Sequence, residues 1–183
     1  MQFYNKMKNY LLLGIVCLSQ LFAELLYPPN NSHLSQIEVM FKWEGEATKT
    51  YVFEISESII FSGSFINSNL FAGDIAYLEK DYISWNEDYY WRVKEEGGAW
   101  INTYQFTTGS KSLSNVDLTW YLPDNYSHGY TIMGSAQNTY SIIIDKEGTE
   151  IWNSGDENII FYSFNKNGSF FGTEYDPTHQ YIY

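Results

Sequence analysis

Short runs of alternating apolar and polar residues are the feature that most constrains the fold of this chain. Apolar side chains occupy every second position of residues 37–43, 51–55 and 89–93. A period of two residues is typical of β-strands that bury one face, whereas an amphipathic helix needs a period near 3.6 residues, which no stretch after residue 23 sustains. Aromatic residues, which favour strands, make up 19% of the chain. The pattern therefore predicts an all-β protein.

Turn-forming residues separate these runs and divide residues 24–110 into short strands. Pro28-Pro29-Asn30-Asn31, Gly45, Gly63, Gly73 and the Gly97-Gly98 pair lie between the apolar runs. Strands of this length and spacing predict a β-sandwich of about seven strands. The alternation places Trp43, Trp91 and Trp100 on the inward side of the sheets.

The same region resembles a fibronectin type III or Ig-like domain. The resemblance rests on Leu26-Tyr-Pro-Pro-Asn-Asn, on the strand that ends at Trp43, on Tyr51-Val-Phe-Glu-Ile-Ser, on Tyr89-Tyr-Trp-Arg-Val, and on Phe106-Thr-Thr after Trp100. It implies a β-sandwich over residues 24–110 and says little about function, because such sandwiches serve many roles.

The charge balance argues against nucleic-acid binding. The chain has 10 Lys and Arg against 22 Asp and Glu, a net charge of −12, and Arg92 is its only arginine. Binding to phosphate backbones needs clustered positive charge. Arg92 lies on the opposite parity from Trp91, so we expect it to form an exposed ion pair with an acid on a neighbouring strand.

Residues 1–23 have the pattern of a secretory signal peptide. Lys6 and Lys8 precede an apolar stretch that is too short to anchor stably across a bilayer, and Ala23 suits a cleavage site. A buried or membrane-anchoring N-terminal helix is the alternative. We expect an exported protein, periplasmic or extracellular, with no membrane span after cleavage.

Cys17 is the only cysteine and lies inside this segment. Val16 stands where a lipoprotein signal needs a small residue, so we do not expect lipidation of Cys17. Cleavage after Ala23 would leave a chain without disulfides, thiol nucleophiles or cysteine-ligated metals.

Residues 116–183, after a serine-rich linker at 111–115, are predicted to begin a β-propeller. Two hairpin patterns, 141–152 and 161–171, repeat the same turn residues at an offset of 20 positions. Two hairpins in about 40 residues is the period of a four-stranded propeller blade. A single blade cannot bury both of its faces, so we expect a truncated piece of a longer protein. The alternative is a small sheet that packs on the sandwich.

This second region resembles the opening blades of the arylsulfotransferase (aryl-sulfate sulfotransferase) family. The similar segments are Gly129-Tyr-Thr-Ile-Met-Gly, Ile142-Ile-Ile-Asp-Lys-Glu-Gly-Thr-Glu-Ile-Trp and Phe164-Asn-Lys-Asn-Gly-Ser-Phe-Phe-Gly. The resemblance implies an exported protein with an Ig-like sandwich followed by a propeller. It also implies sulfuryl transfer from a phenolic sulfate to a phenol acceptor, through a histidine in later blades, so that the present fragment would be inert.

No catalytic, cofactor-binding or metal-binding residue is assigned from the sequence. His33, His128 and His179 lie in predicted surface loops, and none falls in a matching family motif. The acidic turns at 145–147 and 156–158 do not have the spacing of calcium ligands.

Two further hypotheses remain open. One is a cell-surface binding or adhesion protein with a fibronectin-like module and a propeller that carries out no chemistry. The other is a carbohydrate-binding module that uses Trp85, which stands between Ser84 and Asn86 in a predicted loop.

Overall fold

A computed structural model describes residues 24–62, 65–112, 129–135, 140–164, 170–175 and 180–182. These residues form β-strands and turns without a helix, which confirms the predicted all-β class. Within the same residues, no helix is long and apolar enough to cross a membrane. The predicted signal peptide lies outside them. The strands are β1 Leu25–Tyr27, β2 Ser32–Leu34, β3 Val39–Trp43, β4 Thr50–Ser56, β5 Phe65–Ala72, β6 Ile75–Leu78, β7 Asp88–Glu95, β8 Thr103–Thr108, β9 Thr131–Ser135, β10 Tyr140–Ile144, β11 Glu150–Asn153, β12 Ile159–Phe164, β13 Phe170–Tyr175 and β14 Gln180–Ile182.

The first eight strands form two sheets. One has three strands in the order β1-β3-β6, and the other has five in the order β2-β8-β7-β4-β5. Neighbouring strands are antiparallel except for β2 and β8, which run parallel. Strands β1 and β6 are the edges of the smaller sheet, and β2 and β5 are the edges of the larger one.

An aromatic core joins the two sheets. The Phe41 ring on β3 lies 4.9 Å from the Phe53 ring on β4 and 5.2 Å from the Trp91 ring on β7, in edge-to-face geometry. Trp43 and Trp91 are fully buried, as the alternation predicts. Full burial of one such side chain contributes on the order of 2 to 3 kcal/mol, and each favourable ring pair adds about 1 kcal/mol. These β-sandwich-like layers therefore depend on aromatic packing.

Trp100 does not fill the space between the sheets, so its predicted inward position is wrong. Its ring lies 4.0 Å from the guanidinium carbon of Arg92, which is also 3.9 Å from the Phe61 ring. Because the chain turns at Gly97 and Gly98 and strand β8 begins only at residue 103, the parity of β8 does not extend back to Trp100.

Arg92 forms the predicted ion pair with a strand acid. Its Nη2 lies 2.6 Å from Glu54 Oε2. The pair is half-buried and not exposed as predicted, because the Phe61 and Trp100 rings cover the guanidinium.

Both predicted hairpins are present in the second region, but they belong to different sheets. Strands β10 and β11 form one sheet with β9, and β12 and β13 form another with β14. They do not combine into one four-stranded sheet. The outer edge of β11 is already occupied by residues of the first region: Ile37 N donates to Ile151 O at 3.0 Å, and Asn153 N donates to Ser35 O at 3.0 Å. A fourth strand therefore has no place beside β11.

Candidate functional site at the junction of the two regions

Many polar contacts meet where the first region touches the hairpin 143–153. We call this contact, between that hairpin and residues 35–38, 80–86 and 110–112, the junction. Its backbone component is the antiparallel bridge between Gln36 and Trp152. Its apolar component is Ile143 and Ile151, which belong to the same buried cluster as the core of the two larger sheets. The junction therefore continues both the hydrogen bonding and the hydrophobic core of the first region.

Asp145 organises the turn of the β10–β11 hairpin and links it to the first region. Its Oδ1 accepts hydrogen bonds from the backbone N–H groups of Glu147 at 2.9 Å and Thr149 at 2.8 Å. Its Oδ2 is ion-paired with Lys80, which also lies 3.2 Å from Glu147 Oε2. The carboxylate is only 7% exposed, so one buried side chain closes the turn and holds the cation.

The charges of this pair are stable at neutral pH. Burial by itself raises the pKa of Asp145, but the hydrogen bonds from Lys80 and from the Thr149 N–H outweigh it and hold the pKa below its ordinary value of 3.8. For Lys80, burial lowers the pKa, and the hydrogen bonds to Asp145 and Glu147 raise it above its ordinary value. Both groups remain ionised, which suits a structural ion pair better than proton transfer.

Glu150 and Asn153 form a second polar link in the junction. Glu150 is 0% exposed. Its Oε1 accepts hydrogen bonds from Ser112 N and from Asn153 Nδ2, both at 2.8 Å. Asn153 Nδ2 also donates to Ser110 O at 2.9 Å. A buried carboxylate needs such donors to offset the loss of hydration.

Trp85 belongs to this junction. Its Nε1 donates to the backbone oxygen of Glu150 at 3.1 Å, and its half-buried ring packs against the core. A sugar-stacking platform needs an aromatic face that is open to solvent. The position of Trp85 favours a structural role.

His33 lies on strand β2 and not in the predicted loop, although it is exposed as expected. Its Nδ1 is 2.8 Å from Thr107 Oγ1, on the neighbouring parallel strand β8. His128 and His179 lie outside the described residues.

The His33 imidazole borders a polar groove of about 340 Å³. The other side chains that line this groove are mainly hydroxyl, amide and charged groups, including Ser35, Asn86, Ser110, Lys111, Ser112, Asn153 and Asp156. Such a lining offers hydrogen bonds to a polar molecule, and among the described residues that line it His33 supplies the imidazole.

The two acidic turns differ in their surroundings. Asp145 is committed to Lys80 and the hairpin backbone, whereas Asp156, Glu157 and Asn158 are exposed. Among the residues that the structure describes, no three His, Cys, Asp or Glu side chains converge as metal ligands would.

Glu38, Tyr77 and Tyr130 form a cluster that no sequence pattern predicts. Both tyrosine hydroxyls donate to the same Glu38 Oε2 at 2.7 Å. The pKa of Tyr77 is raised, chiefly by burial and secondly by the hydrogen bond to Glu38. The pKa of Tyr130 is also raised, chiefly by the hydrogen bond to Glu38 and secondly by burial. The three residues are distant in sequence, so no local motif signals the cluster, which ties the start of β9 to the three-stranded sheet.

No protein-family model, curated protein or solved structure matches this chain.

Proposed function

We propose that residues 24–110 are a fibronectin type III or Ig-like domain. The facing sheets of three and five strands support this assignment, and so does Tyr89, whose hydroxyl accepts a hydrogen bond from Ser84 N at 2.8 Å. A tyrosine near the start of strand F of such domains, hydrogen-bonded to the backbone a few residues upstream, is a recurrent corner motif, and β7 would correspond to that strand. Trp91 then occupies the position where antibody domains have the second disulfide cysteine, and its contact with Phe41 bridges the sheets instead.

We further propose that the second region begins the β-propeller of an exported arylsulfotransferase-like protein. The segment Ile142–Trp152, which carries part of the resemblance, folds as a hairpin whose turn depends on Asp145 and Gly148. In a protein of this kind, a histidine in a later blade would accept the sulfuryl group from a phenolic sulfate and pass it to a phenol, which splits one difficult step into two. The residues of the present chain would not take part in that chemistry.

The role that we propose for the part described is to hold the first propeller sheet against the sandwich. The observation that carries this proposal is the junction, where backbone pairing, a shared core and the Lys80–Asp145 pair act together. Transferring a group between two bound phenols requires a fixed geometry of the blades. A sandwich packed firmly against the first sheet would hold that sheet in a fixed position, from which the later blades continue.

The proposal is tested by assay and by sequencing. The purified chain is incubated with 4-nitrophenyl sulfate and a phenol acceptor, and release of nitrophenol is followed. We expect no turnover above the buffer control, and steady turnover would overturn the inert role. The coding DNA beyond the codon for Tyr183 is then read. Further Asp-x-x-Gly hairpins with histidines would support the sulfotransferase proposal, whereas sandwich repeats and an anchor would replace it with the surface-binding protein.

A further inference from the structure

Among the described strands, β6 forms an edge of the three-stranded sheet and is paired on one side only. It pairs with β3 through Phe41↔Ala76 and Met40↔Tyr77, and Trp43 N donates to Asp74 O at 3.1 Å. In an antiparallel ladder, directly hydrogen-bonded pairs alternate with pairs that are not bonded. Because Asp74 is bonded to β3, the next bonded residue is Ala76. Ile75 and Tyr77 are the residues in between and beyond, so their N–H and C=O groups are directed away from β3, where none of the described strands pairs with them.

The side chains of the same two residues form part of an apolar surface. Ile75 is 45% exposed and Tyr77 is 50% exposed. Across the sheet, Met40 and Leu26 are exposed on the same outer face, because Phe41 and Leu25 beside them point into the core. The edge thus offers free backbone groups together with apolar contacts at alternate positions, which are the two requirements for strand addition.

Acidic residues flank this edge. Asp74 precedes β6 and Glu79 follows it, and the chain carries a net charge of −12. Two lysines lie nearby: Lys42 is opposite Ile75 and is half-buried, and the charge of Lys80 is engaged by Asp145 and Glu147. A second copy of the chain would bring the same acids to the same edge, and like charges oppose such pairing. A segment with lysine or arginine near its ends would find attraction at both ends of β6.

We propose that the β6 edge binds an extended basic segment of a partner protein by β-strand addition. The backbone of that segment pairs with Ile75 and Tyr77, and its alternate apolar side chains extend the outer face formed by these residues and Met40. Its positive residues lie near Asp74 and Glu79. Since β6 has only four residues, few backbone bonds are available, and the affinity depends strongly on charge and salt. This inference is independent of the function proposed for the propeller.

Two labelled peptides serve as probes. One is an acetylated, amidated heptapeptide of sequence Lys-Thr-Val-Thr-Val-Thr-Lys, and the other has Glu in place of both Lys residues. Binding to the purified chain is followed by fluorescence anisotropy at low and high salt. We expect saturable binding of the lysine peptide, at least about tenfold weaker binding of the glutamate peptide, and loss of binding at high salt. Equal binding of both peptides, or no saturable binding of either, would overturn the proposal.

Variants at Tyr77 test whether the backbone edge is the binding site. Tyr77→Pro removes the outward N–H without removing a bond to β3, a position at which edge strands tolerate proline. Tyr77→Phe is the matched control, because both variants lose the hydroxyl. We expect a loss of about tenfold or more in affinity for Tyr77→Pro relative to Tyr77→Phe. Equal affinities would contradict strand addition.

A charge variant keeps the test decisive if the proline variant does not fold. The double change Asp74→Lys and Glu79→Lys should reverse the preference, so that the glutamate peptide binds more tightly than the lysine peptide. An unchanged preference would contradict the role of the flanking acids.

Sedimentation of the wild-type chain is measured in parallel. A dimer that Tyr77→Pro abolishes would show that a second copy is the occupant and would overturn the proposal.

Discussion

The acidic side chains that the structure buries act mainly as acceptors that hold distant segments together. Asp145 and Glu150 each accept hydrogen bonds from backbone N–H groups and from a second side chain. Two acids that are less buried accept from side chains: Glu54 from the Arg92 guanidinium, and Glu38 from two tyrosine hydroxyls. A carboxylate with several donors is held more firmly than one with a single partner, because each donor offsets part of its lost hydration.

Asp145→Asn should destabilise the chain. The asparagine oxygen can still accept the bonds from Glu147 N and Thr149 N, but the charge that faces Lys80 is lost. We expect the free energy of unfolding at pH 7 to fall by about 2 kcal/mol, less than for a fully buried pair, because Lys80 keeps Glu147. Urea unfolding followed by tryptophan fluorescence measures the change, with exposed Lys146→Ala as the control. If Asp145→Asn lowers the free energy of unfolding no more than Lys146→Ala does, the Lys80–Asp145 pair does not stabilise the chain.

The effect of Asp145→Asn should depend on pH in a defined direction. The pKa of Asp145 in the folded chain is below 3.8, so its stabilisation is present above the ordinary pKa and is lost as the pH falls through the folded value. The difference between wild type and variant should therefore be full at pH 7 and shrink as the pH is lowered below the ordinary pKa of 3.8. A difference that does not change over this range would show that the charge is irrelevant.

At the scale of the elements, the β10–β11 hairpin shows how a turn and an edge act together. Gly148 has φ +80°, in the left-handed region where a side chain is strained, and Asp145 closes the same turn. The hairpin is paired along both of its own strands, since β9 pairs with β10 and residues 35–37 pair with β11. The turn residues therefore determine that this segment folds back as a hairpin. The pairing of β11 with residues 35–37 determines where the hairpin lies on the first region.

Gly148→Ala should weaken this hairpin. Alanine at φ +80° is strained, and we expect the free energy of unfolding to fall by about 1 kcal/mol or more. Gly134→Ala is the matched control, because Gly134 lies in strand β9 and does not have a positive φ. Thermal unfolding of both variants provides the comparison. Equal melting temperatures would mean that the turn geometry does not limit stability.

At the scale of the whole molecule, the junction should make the two regions unfold together. Backbone pairing at Gln36 and the shared core connect the hairpin to the first eight strands. Regions that share a core and a hydrogen-bonded edge form one cooperative unit, whereas regions joined by a linker alone open separately.

Hydrogen exchange tests this cooperativity. In the wild type, the amides of 142–144 and of 53–55 should exchange with similar opening free energies. The double variant Lys80→Ala and Asn153→Ala removes two polar links and should lower the opening free energy of 142–144 while leaving that of 53–55 nearly unchanged. Much faster exchange of 142–144 already in the wild type would show that the junction does not couple the regions.

The sequence by itself determined the all-β class, the inward faces of β3, β4 and β7, and both hairpins, because alternation and turn chemistry are local properties of the chain. Tertiary structure alone decided the position of Trp100, the strand that contains His33, and the assignment of the hairpins to separate sheets. It also decided the junction, where Lys80 and Asp145 are 65 positions apart. Such contacts depend on which edges remain free after the sheets have formed, and a local pattern carries no information about a distant edge.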